Sequence, residues 1–106
     1  GLSIQRPTIL NGNLSSFHLY VIRLSTRKHP EEHRRVFEEL RKAGIGVNLH
    51  YMPVHLQPDY RRLGFREGMF PEAEAYGREA ISLPLFPSMT EEQQDRVVNA
   101  LKQSLC

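Results

Sequence analysis

The sequence predicts an α+β (α/β-like) two-layer sandwich, a small three-stranded sheet covered by helices. Three observations carry this. Short β-branched and aromatic runs alternate with proline-opened amphipathic segments, in the order strand, helix, strand, short turn, helix, strand, helix. The 106 residues suit one domain and leave little room for a second. Hydrophobic residues make up 40% and charged residues 25%, which supplies a modest core and a solvated surface.

Residues 1–13 hold two Gly, one Pro and two Asn without a clear period. They read as a linker or arm ahead of a folded unit over 14–106. Ser16 to Leu24 is the first expected strand, apolar early on both faces and so placed centrally. Pro30 opens a helix, where its missing N–H costs nothing, and Glu31 and Glu32 suit the positive end of the dipole. Val36, Phe37 and Leu40 form its buried stripe, and Gly44 its C-terminal stop.

Ile45 to Tyr51 is the second expected strand, with Ile45, Val47 and Leu49 on one side and Asn48 and His50 on the other. The prolines of Met52 to Pro58 forbid regular structure, and Asp59 to Leu63 suits a short helical turn. After a loop over Phe65 to Phe70, Pro71 begins a helix running to Glu79. Ile81 to Phe86 is an apolar strand broken by Pro84, which favours an edge position. Thr90 and Gln93 form a capping box for the last helix, whose buried side is Val97, Val98, Leu101 and Leu105.

Composition narrows the function classes. The formal charge of +2 is too small for a nucleic-acid-binding stripe, although one or two placed cations can hold a small anion. No apolar run approaches the roughly 20 residues of a membrane helix, and no signal peptide is expected. The single cysteine, Cys106, excludes an internal disulfide and fits a cytoplasmic location. It also lacks any neighbour that would make it a nucleophile.

The densest run of reactive side chains is 50–62, HYMPVHLQPDYRR, directly after an expected strand. Two histidines, two tyrosines and arginines there supply proton donors, stacking surfaces and anion clamps. The residues alone admit a plainer reading, in which the tyrosines pack and the arginines are solvated. Zinc spacing is absent, since His50, His55 and Asp59 are five and four apart on an irregular loop, and no metal is expected.

Five stretches then acquire meaning together. They are His18-Leu19-Tyr20; Gly44-Ile45-Gly46-Val47 with His50-Tyr51; Pro53-Val54-His55-Leu56-Gln57-Pro58 with Tyr60-Arg61; Ser82-Leu83-Pro84-Leu85-Phe86-Pro87; and Met89-Thr90 with Asp95-Arg96-Val97-Val98. In this order they resemble the C-terminal small domain of the DegT/DnrJ/EryC1/StrS sugar aminotransferases. The resemblance implies a fold type I transferase whose large domain binds pyridoxal phosphate (PLP) on a lysine. Such an enzyme passes an amino group from glutamate to a nucleotide-linked keto sugar and works as a homodimer.

Within the family, the loop and the Gly64–Pro71 spacer most resemble the subgroup forming UDP-4-amino-4,6-dideoxy-N-acetyl-altrosamine, used in surface polysaccharide or flagellar glycans. The UDP-4-amino-arabinose-forming enzymes are the alternative. The resemblance carries substrate binding to His50, Tyr51, His55 and Arg61. His50 and Tyr51 are expected on the sugar or donor side, with His55 and Arg61 nearer the diphosphate or a subunit contact. It carries no catalytic or cofactor residue, because Lys28, Lys42 and Lys102 match no Schiff-base position, and the sequence alone is expected to be inactive. A non-catalytic binding or dimerisation module is the remaining alternative.

Overall fold

The computed structural model describes residues 3–25 and 30–106. Its sheet has the order β1-β2-β3, with β1 Ile4–Gln5, β2 Tyr20–Leu24 and β3 Ala80–Leu83, all antiparallel to their neighbours. Four α-helices accompany it among the described residues: α1 Glu32–Lys42, α2 Pro58–Arg62, α3 Pro71–Glu79 and α4 Glu91–Ser104. The α+β class and the three strands hold, but the third strand comes from the arm, where Ile4 pairs with Leu24 and Gln5 with Arg23.

β2 is central, as its apolar faces require. Ile22 and Leu24 are fully buried and join Val36 and Leu40 of α1, Ile81 of β3, and Val97 and Leu101 of α4 in one core. Period-two alternation sends Arg23 to the other side of the sheet. There it meets α3: Nε and Nη2 both donate to Glu79 Oε2, at 3.0 and 2.7 Å, and the guanidinium lies 5.6 Å from the Tyr76 ring. The sheet is therefore covered by α1 and α4 on one face and by α3 on the other.

Several expected boundaries move, each for a local reason. β2 starts at Tyr20 rather than Ser16 because Phe17 takes a left-handed φ of 47° and its N–H turns back to Ser15 Oγ. β3 ends at Leu83, one residue before Pro84, and lies at the edge of the sheet as expected. The expected strand Ile45–Tyr51 is reduced to a single antiparallel bridge between Asn48 and Ser82. Val47 spends its N–H on Ile45 O, so it cannot extend a ladder, although Ile45 and Val47 still enter the core.

The helix ends match the sequence at Pro71, Thr90 and Gly44, whereas α1 begins at Glu32, with Glu31 as its N-cap and Pro30 just outside, and α2 begins at Pro58, one residue early. Thr90 Oγ1 accepts from the Gln93 N–H while Gln93 Oε1 accepts from the Thr90 N–H, the expected capping box. At the far end of α1, Gly44 has φ 76°, Ile45 N–H returns to Leu40 O, and Arg96 reaches across from α4 to donate to Ala43 O.

The α4 stripe is narrower than expected: Val97 is 7% exposed and Val98 43%. Adjacent helical positions point about 100° apart, so only one of the pair can face the sheet. Val97→Ala is expected to cost about 2 kcal/mol and Val98→Ala less than about 0.5 kcal/mol in urea unfolding. Equal losses at the two positions would contradict this packing.

Candidate functional site

The site begins where the chain leaves the sheet. Asn48 N–H donates to Ser82 O at 3.1 Å and Ser82 N–H donates to Asn48 O at 2.8 Å. Two residues later, His50 Nδ1 lies 2.8 Å from the Ser82 hydroxyl. One β3 residue thus anchors the segment through its backbone and orients the imidazole through its side chain. The His50–Tyr51 peptide is cis, and the two rings meet edge to face at 4.8 Å.

His50 and Tyr51 form one wall of a cleft of about 340 Å³. Glu74, Gly77 and Arg78 of α3 line it as well, together with Pro53. Tyr51 is 73% exposed, so its ring and hydroxyl are available to a ligand. A Cβ on Gly77 would come within 3.0 Å of Pro53 Cδ and 3.1 Å of Cγ. Glycine at 77 therefore lets the proline rest directly on the helix, and that contact sets the floor of the cleft.

His55 is elsewhere. The short 3-10 turn Val54–Leu56 rotates it inward, to 6% exposure, and its Nε2 lies 2.8 Å from Glu74 Oε1. Glu74 is itself 5% exposed and also accepts from the Gly68 and Phe70 N–H groups, at 2.8 and 3.4 Å. The hydrogen bond from His55 is the main reason that the Glu74 carboxyl is held below the ordinary glutamate range. Burial opposes this, while the Gly68 and Phe70 amides add to it. An ionised carboxylate only accepts, so His55 carries its proton on Nε2 toward Glu74. Phe70 packs edge to face on the His55 ring at 4.8 Å, and Phe65 and Tyr60 extend this aromatic group.

Arg61 lies on α2, exposed, with Nε donating to Leu56 O at 2.9 Å. Of the four residues that the sequence groups, the structure brings His50 and Tyr51 together at the cleft. It separates His55, which is buried, and Arg61, which braces the loop. Proline spacing explains the split: Pro53 and Pro58 bracket a tight turn that reverses side-chain direction between 51 and 55.

The residues that sequence reasoning missed are Ser82, Glu74, Gly77 and Arg78. Glu74 carried a signal only as an acid in the first turn of α3, where it reads as complementing the dipole. Among the described residues, no group of three His, Cys, Asp or Glu is placed to hold a metal ion. No described helix is long and apolar enough to cross a membrane.

The comparisons agree with this fold. The sequence profile of the DegT/DnrJ/EryC1/StrS aminotransferase family matches residues 3–102, and the chain belongs to that family. It is 40% identical over 89 residues to the erythromycin biosynthesis sensory transduction protein EryC1 of Saccharopolyspora erythraea, covering 83% of this chain and 23% of that protein. It is 32% identical over 102 residues to the dTDP-3-amino-3,4,6-trideoxy-alpha-D-glucose transaminase of Micromonospora megalomicea, covering 94% and 26%. The PLP form of the putative sugar aminotransferase Spr1654 of Streptococcus pneumoniae superposes with a TM-score of 0.86 at 33% identity, covering 96% of this chain and 26% of that one. The chain thus spans about a quarter of the length of the relatives it matches.

PLP, which the family implies, needs a lysine amine beside its pocket. Lys42 ends α1 and Lys102 lies on α4, both exposed, and neither lines the cleft; Lys28 lies outside the described residues. The described residues therefore do not fit a covalent PLP site.

Because the native carboxyl of Glu74 titrates below the unfolded one, unfolding in acid takes up a proton. The resulting stabilisation is complete above the ordinary glutamate value of about 4.3 and is lost as pH falls through the lowered native value. The stability gap between the wild type and Glu74→Gln should therefore narrow as urea midpoints are followed from neutral pH into acid. A gap that stays constant through that range would contradict the assignment.

Proposed function

We propose that this chain is the small domain of a PLP-dependent nucleotide-sugar aminotransferase, with residues 14–106 as the domain and 1–13 as its entering arm. In this reading the whole protein transfers an amino group from glutamate to a nucleotide-linked keto sugar. Its cofactor and Schiff-base lysine come from outside this sequence, and the sequence alone is inactive. A cytoplasmic homodimer belongs to the same reading. The observation that carries it is the cleft in which His50 and Tyr51 stand side by side, in a chain of this family.

The chemistry of the cleft suits a sugar or an amino-acid donor. Ser82 occupies His50 Nδ1, which leaves Nε2 to exchange a hydrogen bond with a hydroxyl or carboxylate. Tyr51 offers a ring face and a phenolic hydroxyl, and Arg78 a cation for an anionic group. When bound, PLP supplies the electron sink for the amino transfer. This chain's part is to orient the substrate and exclude water. His55 and Arg61 support the loop in this scheme rather than touch the ligand.

The finer proposal is a UDP-linked 4-keto-6-deoxy amino sugar, supported by the resemblance of the loop and the Gly64–Pro71 spacer. The competing substrates are the 4-keto precursor of UDP-4-amino-arabinose and a dTDP-linked sugar such as the Micromonospora relative's name records. In the full-length enzyme, His50→Ala is expected to lower kcat/KM on the order of 100-fold while the melting temperature changes little. Assayed on the three sugars, the enzyme should turn over the UDP-4-keto-6-deoxy amino sugar fastest. A wild-type rate for His50→Ala would sink the site assignment, and a faster dTDP-sugar would sink the finer one.

A docking role is supported by a separate observation. Val54, Tyr60 and Phe70 are 61%, 42% and 46% exposed and line an open apolar hollow with Phe65 and Ala73. That apolar face suits a contact within the homodimer.

A further inference from the structure

We infer that Glu74 is a positioning residue for the cleft, acting from α3 through His55 to keep Tyr51 in place beside the His50 ring that Ser82 holds. The inference rests on the reading of the cleft as a substrate site, and it concerns a residue that touches the loop rather than the reacting atoms.

The segment from Asn48 to Leu56 is held at two ends. At the first, Ser82 takes the Asn48 backbone and the His50 ring. At the second, Glu74 takes His55. Between these anchors lie residues 51–54, of which Tyr51, Met52 and Val54 are 73%, 58% and 61% exposed. In that stretch Pro53 rests directly on Gly77 of the helix. A short run pinned at both ends and bearing on a glycine floor has little freedom, and freeing one end gives it back.

Glu74 is built for such a clamp. A carboxylate that merely complements the helix dipole stays solvated, whereas this one is 5% exposed and receives one side-chain and two backbone donors. Those donors come from two different segments, the 3-10 turn at 54–56 and the loop at 68–70. One side chain thus fastens both to α3, the helix that also supplies Gly77 and Arg78 to the cleft.

The test is kinetic, in the full-length enzyme, with Glu74→Ala, Tyr51→Ala, their double variant, and Leu101→Ala as a core-destabilised control. Misplacing a substrate-orienting group by about 1 Å can cost on the order of 100-fold, so Glu74→Ala should raise KM for the keto sugar by about tenfold or more. In the Tyr51→Ala background the same change should add less than about twofold, because the group being positioned has gone. Leu101→Ala should lower stability yet leave KM within about twofold of wild type.

An unchanged KM for Glu74→Ala would overturn the inference. So would a full, independent rise in the Tyr51→Ala background, or an equal KM rise from Leu101→Ala. His50→Ala separates the two levels. If it lowers turnover while Glu74→Ala is silent, only the positioning role fails; if both are silent, the substrate-site reading fails with it. Should Glu74→Ala not fold, Glu74→Met, which keeps the volume and gives up the carboxylate acceptor, should raise KM in the same sense, and a wild-type KM from it would overturn the inference equally.

Discussion

Two peptide hydrogen bonds between Asn48 and Ser82 mark the last point at which this segment pairs with the sheet, and so set the frame of the candidate site. They are the sole remnant of a ladder that the sequence leads one to expect, and the chain leaves the sheet immediately after them. Had pairing continued, His50 and Tyr51 would lie along the edge of β3 instead of facing α3. On the side before Asn48 the ladder cannot extend, because Val47 turns its N–H back to Ile45 O across Gly46. The core still gains Ile45 and Val47, so the early departure costs little apolar burial.

From that point the site is an agreement between a strand and a helix. Ser82 fixes the imidazole from one side, and α3 fixes the loop from the other through Gly77 and Glu74. α3 is in turn tied to the sheet by the Arg23–Glu79 pair at its C-terminal end. The pair is partly exposed and contributes little by itself. Its value is directional, because it fixes the distance between β2 and the helix on which the cleft floor is built.

Most of the scaffold was legible because it depends on local chemistry. Pro71 starting α3, the Thr90–Gln93 box starting α4, and Gly44 stopping α1 are signals written within a few residues. β1 was not legible, because two paired residues in a loose arm acquire their state only from Leu24 and Arg23. Val98 was misplaced for a related reason: a stripe of apolar residues does not say which of two neighbours faces inward. At the site, the run 50–62 announced itself by composition, and His50 and Tyr51 do share a cleft. The inward turn of His55 and the carboxylate that meets it join residues 19 apart, and no spacing rule connects them.

The junction of α1 with α4 constrains how related sequences can diverge. Arg96 donates to Ala43 O, and its Nη2 atom stands 2.9 Å from where a Cβ on residue 44 would sit. The guanidinium therefore occupies the space that any larger residue at 44 would need, while the left-handed backbone there already favours glycine. That guanidinium is the far end of a flexible, exposed side chain, so it can swing aside for a larger residue at 44. What such a residue would lose is the bond to Ala43 O, leaving the end of α1 to water, together with the backbone ease that only glycine has there.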